Sequence, residues 1–209
     1  MLSGVVLAGG KGSRIGGDKG LMNLVDRPMV VHVVDALSVV AEDITVSVGG
    51  GCGSVYQKVL GARIKTVEDR APGRGPIEGL STAFGEAERE YVAVVPCDVP
   101  LLRTEVIDLL ARRAVGSDGA VPVIGGFLEP LVAVYRREAG LRRFAEGVER
   151  GDGKVGDAVG QMDIQEVDED EIKEVDGSLL SFWNVNSKED LEEAGGMIRR
   201  GVIPPRRGL

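Results

Sequence analysis

The feature that most constrains the fold is an apolar run near the N-terminus that ends in a glycine-rich loop. Residues 2–7 read Leu-Ser-Gly-Val-Val-Leu, and this run with its β-branched residues predicts a buried strand. The loop that follows carries three fixed cations, Lys11, Arg14 and Lys19, and has glycine at positions 9, 10, 12, 16, 17 and 20. Unhindered backbone N–H groups and nearby cations together predict a cradle for a polyphosphate.

The spacing of this loop excludes two common phosphate-loop motifs. No Gly-Lys-Ser or Gly-Lys-Thr occurs, so the Walker pattern is absent. The dinucleotide fingerprint G-x-G-x-x-G would begin at Gly10 and Gly12, but Ile15 stands where its third glycine belongs. The spacing that is present, L-A-G-G-x-x-x-R-I-G-x-D-K, resembles the N-terminal signature of nucleotidyltransferases that join a nucleoside monophosphate to a phosphorylated acceptor.

Composition narrows the class of protein. The 209 residues are 43% hydrophobic but only 4% aromatic, which predicts one globular domain with an aliphatic core, as in parallel sheets covered by helices. A net charge of −8 argues against non-specific nucleic-acid binding, although it permits a local nucleotide pocket. No apolar run reaches the roughly 18–20 residues of a membrane span, so we expect a protein that binds no membrane. The two cysteines, Cys52 and Cys97, make no disulfide framework, so we expect a cytoplasmic location.

Alternation of strand and helix patterns over the first half predicts a three-layer α/β/α fold with a mostly parallel, doubly wound, Rossmann-like sheet. Predicted strands cover residues 2–7, 43–48, 62–67, 91–95, 119–124, 131–135 and 182–186. Predicted helices cover residues 29–40, 54–60, 76–88, 103–114, 138–147 and 187–200, the last beginning with a capping box. We expect a loop at 151–156. Over the acidic residues 163–176 we expect a solvated loop or hairpin, with a metal site as the alternative.

The domain organisation follows from this pattern. We predict a single domain over residues 1–200, with a nucleotide-binding half at about 1–115, an acceptor-binding half at about 116–200, and a loose tail at 201–209. The single histidine, His32, lies in an apolar stretch, so we expect it to be packed in the core and not to act in catalysis.

Carboxylates follow two of the predicted strands, at the sheet edge where α/β folds bind ligands. Asp98 leaves the apolar strand 91–95 between two prolines, so we expect its carboxylate to share one pocket with the glycine-rich loop that carries Lys19. A carboxylate beside nucleotide phosphates is the usual protein ligand of Mg²⁺. Asp69 follows strand 62–67, where it would contact a base or ribose or support the metal indirectly. Turn capping for Asp98 and a structural role for Asp69 are the alternatives. Asn186, two positions after Asn184 on a predicted strand, is a further candidate metal or metal-water ligand.

Taken together, these residues resemble the molybdenum cofactor guanylyltransferases, a branch of the nucleotide-diphospho-sugar-transferase-like fold. The matching segments stand in the family's order and cover most of the chain: LAGGKGSRIGGDKGL, VED at 67–69, GPIEG at 75–79, PCDVP at 96–100 and FWNVNSKEDL at 182–191. Two residues and one segment depart from the family pattern. Ser47 replaces a common asparagine, Glu129 replaces a common imidazole before Pro130, and 151–156 lacks an arginine pair.

The resemblance implies roles for individual residues, carried over by position. Leu7, Ala8 and Gly9 would line the guanine and ribose through backbone contacts, and Lys19 would hold the triphosphate. The implied nucleotide-binding residues are Leu7, Ala8, Gly9, Gly10, Lys11, Lys19, Ser47, Asp69 and Asp98. The implied catalytic residues are Arg14, Lys19 and Asp98, and the implied Mg²⁺ ligands are Asp98 and Asn186.

The resemblance also implies an activity. GMP would pass from GTP to the terminal phosphate of molybdopterin or the molybdenum cofactor, with Mg²⁺ as cofactor and pyrophosphate as leaving group. Protein partners would be molybdoenzyme apoproteins or other cofactor-biosynthesis proteins. The alternatives within the same chemistry are cobinamide phosphate or a sugar phosphate as acceptor, and CTP in place of GTP. A GTP-binding regulatory module without turnover is the alternative from another class.

Overall fold

The structure, a computed structural model, describes residues 1–8, 17–69, 75–151 and 154–202, and the backbone of residues 11–12. The strands are β1 (Leu2–Ala8), β2 (Lys11–Gly12), β3 (Gly17–Asp18), β4 (Asn23–Leu24), β5 (Arg27–Pro28), β6 (Ala41–Val48), β7 (Lys65–Glu68), β8 (Tyr91–Pro96), β9 (Gly119–Ile124), β10 (Phe127–Leu128), β11 (Ala133–Arg136) and β12 (Ile164–Val167). The α-helices are α1 (Met29–Leu37), α2 (Gly53–Leu60), α3 (Pro76–Glu86), α4 (Thr104–Ala114), α5 (Arg137–Arg150), α6 (Val155–Val159), α7 (Glu169–Val175) and α8 (Lys188–Arg199). Short 3₁₀ helices cover Lys19–Leu21 and Leu180–Phe182.

The central sheet has eight strands and is mixed but mostly parallel. Strands β7, β6, β1 and β8 lie side by side in parallel, and β11 pairs antiparallel with β8. Strand β9 pairs antiparallel with β11, while β10 and β12 both pair with β9. The predicted α/β sheet is therefore confirmed, with the antiparallel strands confined to the second half of the chain.

Helices cover both faces of the sheet, so adjacent residues of a strand pack into different cores. On β1, Val6 packs into a core that it shares with α1, α2 and α4, whereas Val5 packs with α3, α5 and α6 on the other face. Val5 and Val6 are both fully buried. This is why β1 and β8 read as continuous apolar runs, and it confirms the three-layer α/β/α prediction.

The acidic stretch 163–176 is structured, so the predicted solvated loop or hairpin is wrong. It contains β12 and α7, which bury Val167 and Ile172 completely. Asp168 caps α7 by accepting a hydrogen bond from the Glu171 backbone N–H at 2.9 Å. The carboxylates that follow occupy the first turn of the helix, where its dipole favours negative charge.

The predicted strand at 182–186 is also wrong. A 3₁₀ turn ends at Phe182, and Leu180 and Val185 pack against α8 and Leu24 in a smaller third core instead of joining the sheet. The predicted loop at 151–156 is interrupted by α6, which begins at Val155, and the tail 203–209 lies outside the described residues. Within the part of the chain that the structure describes, no helix combines the length and apolarity that crossing a membrane would need.

Candidate active site

The candidate site lies where the strand order reverses. The chain leaves β1 to form β6 and β7 on one side and then returns to form β8 on the other, so ligands are expected at the carboxyl ends of these strands. Leu7 is in register with Ser47 on β6 and with Pro96 on β8, and the Cys97 N–H donates to the Leu7 carbonyl at 2.9 Å. Since neighbouring strands lie about 4.8 Å apart, Ser47 and Pro96 are separated by about 10 Å across this edge.

One cluster of site residues follows β8. Lys19 Nζ lies 3.2 Å from Asp98 Oδ2 and 2.6 Å from Asn186 Oδ1. The side chains of Lys19 and Asp98 are only 19% and 22% exposed. The three residues come from the loop after β1, the loop after β8 and the approach to α8. The expected proximity of Lys19 and Asp98 is thus observed, and an ammonium group stands between two oxygen ligands.

The cap of α8 sets the position of Asn186. The Asp98 carbonyl accepts a hydrogen bond from the Val185 N–H at 2.8 Å, and Asp190 Oδ2 accepts from the N–H groups of Asn186 and Ser187 at 2.8 and 2.9 Å. Ser187 Oγ accepts from the Asp190 N–H, which completes the predicted capping box. These backbone hydrogen bonds, that of Asn186 first, lower the pKa of Asp190. Asn186 therefore reaches the site through a helix cap and not through a strand.

A second cluster lies at the ends of β6 and β7. Ser47 Oγ donates to Asp69 Oδ1 at 2.8 Å, and the Asp69 N–H donates to the Val48 carbonyl at 2.9 Å. Burial raises the pKa of Asp69, the Ser47 hydrogen bond opposes that rise, and the nearby Glu78 adds to it. The first turn of α3 covers this pair closely at Gly79. A Cβ there would lie 3.0 Å from Ser47 Oγ, 3.2 Å from Leu7 Cδ2 and 3.3 Å from Asp69 Oδ1.

The contacts of two supporting residues were not predicted. Glu68 accepts hydrogen bonds from the N–H groups of Gly51 and Gly53 at 3.0 and 2.9 Å, which lower its pKa and fix the glycine-rich turn after β6. Glu68 belongs to the VED segment at the end of a predicted strand, so its place at this sheet edge was expected, but its hydrogen bonds to the turn after β6 were not. Tyr56, on α2, donates from its hydroxyl to Asp18 Oδ1 at 2.5 Å. No sequence pattern pointed to this contact.

Several predicted residues fall outside the described part of the chain. Gly9, Gly10 and Arg14 lie there entirely. For Lys11 the backbone is described and pairs with Asp18, while its side chain is outside the described residues. Ala8 ends β1 and is buried.

His32 behaves as expected for a core residue. It is buried, and its Nε2 lies 3.0 Å from the Leu24 carbonyl oxygen. Burial lowers its pKa. The histidine thus packs in the core on α1, as the apolar stretch around it predicted.

The residues around Lys19 fit a magnesium ion. The described residues contain no group of three or more histidine, cysteine or acidic side chains able to hold a metal ion by themselves. Asp98 and Asn186 nevertheless direct a carboxylate and an amide oxygen at one cationic group, the Lys19 ammonium. Mg²⁺ takes few protein oxygens when substrate phosphates and water supply the others, so this donor set suits it.

A comparison with protein families assigns the chain to one of them. A family model described as "MobA-like NTP transferase domain" matches residues 4–162 of the 209. The chain belongs to this family. It is therefore a nucleotidyltransferase, and the matched segment includes Lys19, Ser47, Asp69 and Asp98, while Asn186 lies beyond its end.

Curated relatives resemble the transferase over nearly its whole length. A "probable molybdenum cofactor guanylyltransferase" of Natronomonas pharaonis is 35% identical over 198 residues, which cover 92% of this chain and 96% of the relative. A protein of the same description from Methanosarcina mazei is 32% identical over 208 residues, covering 96% and 92%. The predicted membership of the molybdenum cofactor guanylyltransferase family is thereby confirmed.

Solved structures share the fold of the transferase. Molybdopterin-guanine dinucleotide biosynthesis protein A from Archaeoglobus fulgidus superimposes with a TM-score of 0.81 at 22% identity, covering 95% of this chain and 99% of that chain. A nucleotidyl transferase from Methanothermobacter thermautotrophicus gives a TM-score of 0.72 at 19% identity, covering 96% and 99%. These similarities confirm the predicted nucleotide-diphospho-sugar-transferase-like fold.

Proposed function

We propose that the transferase moves GMP from GTP to the terminal phosphate of molybdopterin and releases pyrophosphate. The observation that carries the proposal is the Lys19 ammonium between Asp98 Oδ2 and Asn186 Oδ1, at the edge where the glycine-rich loop leaves β1. A charged triphosphate and its cation need this combination of an ammonium group and hard oxygen ligands. The names of the curated relatives support guanine as the base and the molybdenum cofactor as the acceptor.

The proposed reaction needs no general base. The attacking oxygen belongs to an acceptor phosphate that is already anionic, so the work of the protein is positioning and neutralisation of charge. Lys19 binds the triphosphate and offsets the charge of the departing pyrophosphate, and Lys11 and Arg14 of the same loop add to this. Asp98 and Asn186 would hold Mg²⁺, which would supply alignment of the phosphates and further stabilisation of charge.

We assign the cluster at Asp69 to the nucleoside. Ser47 engages one oxygen of the Asp69 carboxylate, and the second oxygen accepts a hydrogen bond from the base or ribose. A nucleotide is long enough to contact this cluster with its nucleoside and the Lys19 cluster with its phosphates, since β6 and β8 are about 10 Å apart. Leu7, on the strand between them, lies under the nucleoside.

A panel of nucleotides and acceptors tests the function. GTP, CTP, ATP and UTP are each incubated with molybdopterin, cobinamide phosphate or a sugar 1-phosphate, and pyrophosphate is measured with Mg²⁺ or with excess EDTA. We expect pyrophosphate only from GTP with molybdopterin and Mg²⁺, and none without acceptor. Release with CTP or with another acceptor would reassign the substrate. Tight GTP binding without release in any combination would instead indicate a regulatory module.

We further propose a cytoplasmic location, with molybdoenzyme apoproteins or other cofactor-biosynthesis proteins as partners. The free thiols of Cys52 and Cys97 support a reducing compartment. Cell fractionation, together with purification of the tagged protein and identification of what accompanies it, tests both statements.

A further inference from the structure

A buried hydroxyl contacts both ends of the glycine-rich loop. Tyr56 is fully buried on α2, and its hydroxyl oxygen lies 2.5 Å from Asp18 Oδ1 and 3.3 Å from the Ala8 carbonyl oxygen. Ala8 is the last residue of β1, and Asp18 is the residue at which β3 ends. The two contacts of this one oxygen therefore enclose residues 9–17, the segment to which we assign phosphate binding.

Asp18 connects this hydroxyl to Lys19. Asp18 is the N-cap of the 3₁₀ turn Lys19–Leu21, and its Oδ1 accepts a hydrogen bond from the Gly20 N–H at 3.1 Å. The same carboxylate oxygen thus receives the Tyr56 hydroxyl and fixes the turn whose first residue is Lys19. A Cβ at position 20 would stand 2.3 Å from the Tyr56 hydroxyl oxygen, so the turn lies directly against the phenol and leaves room only for glycine.

The hydrogen bond between Tyr56 and Asp18 is a strong one. Burial raises the pKa of Tyr56 far above its usual value, so the phenol stays protonated and acts as a donor at neutral pH. Its single proton belongs to the shorter contact, that with Asp18, because 2.5 Å is typical of an O–H bonded to an anionic oxygen. Such bonds are roughly twice as strong as those between neutral groups.

We propose that Tyr56 is a positioning residue of the transferase, whose hydroxyl acts through Asp18 to direct Lys19 toward Asp98 and Asn186. The inference rests on the proposed function in one respect, since it takes Lys19 as the ligand of the triphosphate. Tyr56 itself touches no substrate in this scheme. Its contribution is to hold the start of the 3₁₀ turn, so its loss lowers the affinity for GTP only as far as Lys19 is displaced.

The first test replaces each of the three tyrosines by phenylalanine. We expect Tyr56→Phe to lower kcat/KM for GTP about tenfold, mainly through KM, because a buried hydrogen bond to a charged group is lost. Two controls remove hydroxyls that bond far from the loop: Tyr91, which accepts from the Gly116 N–H, and Tyr135, which donates to the Pro130 carbonyl. Tyr91→Phe and Tyr135→Phe should leave KM for GTP within about twofold.

A double-mutant cycle separates positioning from a general structural effect. In a Lys19→Met background, Tyr56→Phe should cost less than about twofold in kcat/KM, because the side chain that it positions is gone. A tenfold cost in both backgrounds would overturn the inference, as would a Tyr56→Phe enzyme with wild-type KM.

A chemical measurement tests the same contact without turnover. We expect acetic anhydride to label Lys19 slowly in the wild type, because Asp98 and Asn186 hold its ammonium group. Mass spectrometry quantifies the labelling. We expect severalfold faster labelling of Lys19 in Tyr56→Phe, with the exposed Lys58 unchanged as internal control. Asp18→Ala should reproduce this effect and Asp18→Asn, which keeps an oxygen acceptor, should restore most of the protection, so the test survives if Tyr56→Phe folds poorly.

The outcomes distinguish the two hypotheses. Unchanged labelling of Lys19 in both Tyr56→Phe and Asp18→Ala would contradict the positioning role, whatever the enzyme transfers. Absence of pyrophosphate release by the wild-type protein would contradict the proposed function, while faster Lys19 labelling in the variants would still support the role of Tyr56.

Discussion

At Asp98, the main chain and the side chain make hydrogen bonds with different residues. Its carbonyl accepts the Val185 N–H at 2.8 Å and so brings the approach to α8 to the sheet edge, while Oδ2 meets the Lys19 ammonium at 3.2 Å. A side-chain substitution can therefore remove the charge of the site and leave the backbone contact in place. This separation makes Asp98 the residue at which mechanism can be tested without loss of the fold.

We expect Asp98→Asn to lower the rate of pyrophosphate release by about 10²–10³, because it removes one well-placed charge from a preorganised site. Asp108→Asn, at an exposed aspartate on α4, is the matched control and should keep the wild-type rate. Steady-state kinetics give the rates, and circular dichroism verifies that both variants are folded. Wild-type turnover by Asp98→Asn would exclude the mechanism.

At the scale of elements, the start of α3 covers the Ser47–Asp69 cluster, which we propose as the nucleoside end of the site. Gly79 allows the first turn of this helix to lie against Ser47, Asp69 and Leu7. Gly85 stands near the end of the same helix and has no atom within 4 Å of an added Cβ. Alanine at position 79 therefore tests the close packing of the helix against the site, whereas alanine at position 85 tests helix propensity alone.

We expect Gly79→Ala to weaken GTP binding severalfold, since Ser47 and Asp69 must move by a few tenths of an ångström to admit the methyl group. Gly85→Ala should leave binding unchanged and raise the free energy of unfolding by about 0.5 kcal/mol, the lower end of the range for glycine inside a helix, because Gly85 stands near the helix end. Calorimetric titration with GTP and urea denaturation measure the two effects. Equal GTP affinity of the two variants would contradict the assigned contact.

The cap of α8 gives the protein a pH dependence at the acidic end. Because hydrogen bonds from Asn186 and Ser187 lower the pKa of Asp190 below its usual 3.8, ionised Asp190 stabilises the folded state above that value. This stabilisation is lost as the pH falls through the lowered pKa.

We therefore expect the free energy of unfolding of the wild type to fall more steeply between about pH 5 and 2 than that of Asp190→Asn. Asp108→Asn again serves as control and should retain the wild-type slope. Urea denaturation at each pH gives the comparison. Parallel curves for wild type and Asp190→Asn would show that the cap does not carry this dependence.

At the scale of the whole molecule, an aromatic group holds the second half of the chain to the first. Phe84 on α3, Tyr135 on β11 and Phe144 on α5 are fully buried. The ring of Phe144 packs edge-on against Phe84 at 5.0 Å and against Tyr135 at 5.6 Å between centroids. Three of the eight aromatic residues of the chain thus meet in one of the two cores that flank the sheet.

We expect Phe144→Ala to lower the free energy of unfolding by about 3–5 kcal/mol through lost burial and the cavity left behind. Phe127→Ala, at a ring that is 76% exposed on β10, should change it by no more than about 0.5 kcal/mol. Chemical denaturation with one fluorescence probe measures both. A similar decrease in the free energy of unfolding of the two variants would contradict the stabilising role of the aromatic group.

The sequence by itself determined the class of fold and the pairing of Lys19 with Asp98. Continuous apolar runs encode strands buried on both faces, and chain order then places the residues that follow β1 and β8 at one edge of a parallel sheet. Lys19 and Asp98 could be paired for this reason. The capping box of α8 could also be predicted, because its hydrogen bonds join residues only three positions apart.

Only the tertiary structure decided the remaining contacts, because they join residues far apart in the chain. The acidic stretch 163–176 was predicted to be solvated, yet Val167 and Ile172 pack into a core formed with other elements. Asn186 reached Lys19 through a cap and a backbone bond to the β8 loop, and not as part of a strand. Tyr56 meets Asp18 from 38 positions away on a separate helix, a contact that packing fixes and no local pattern encodes.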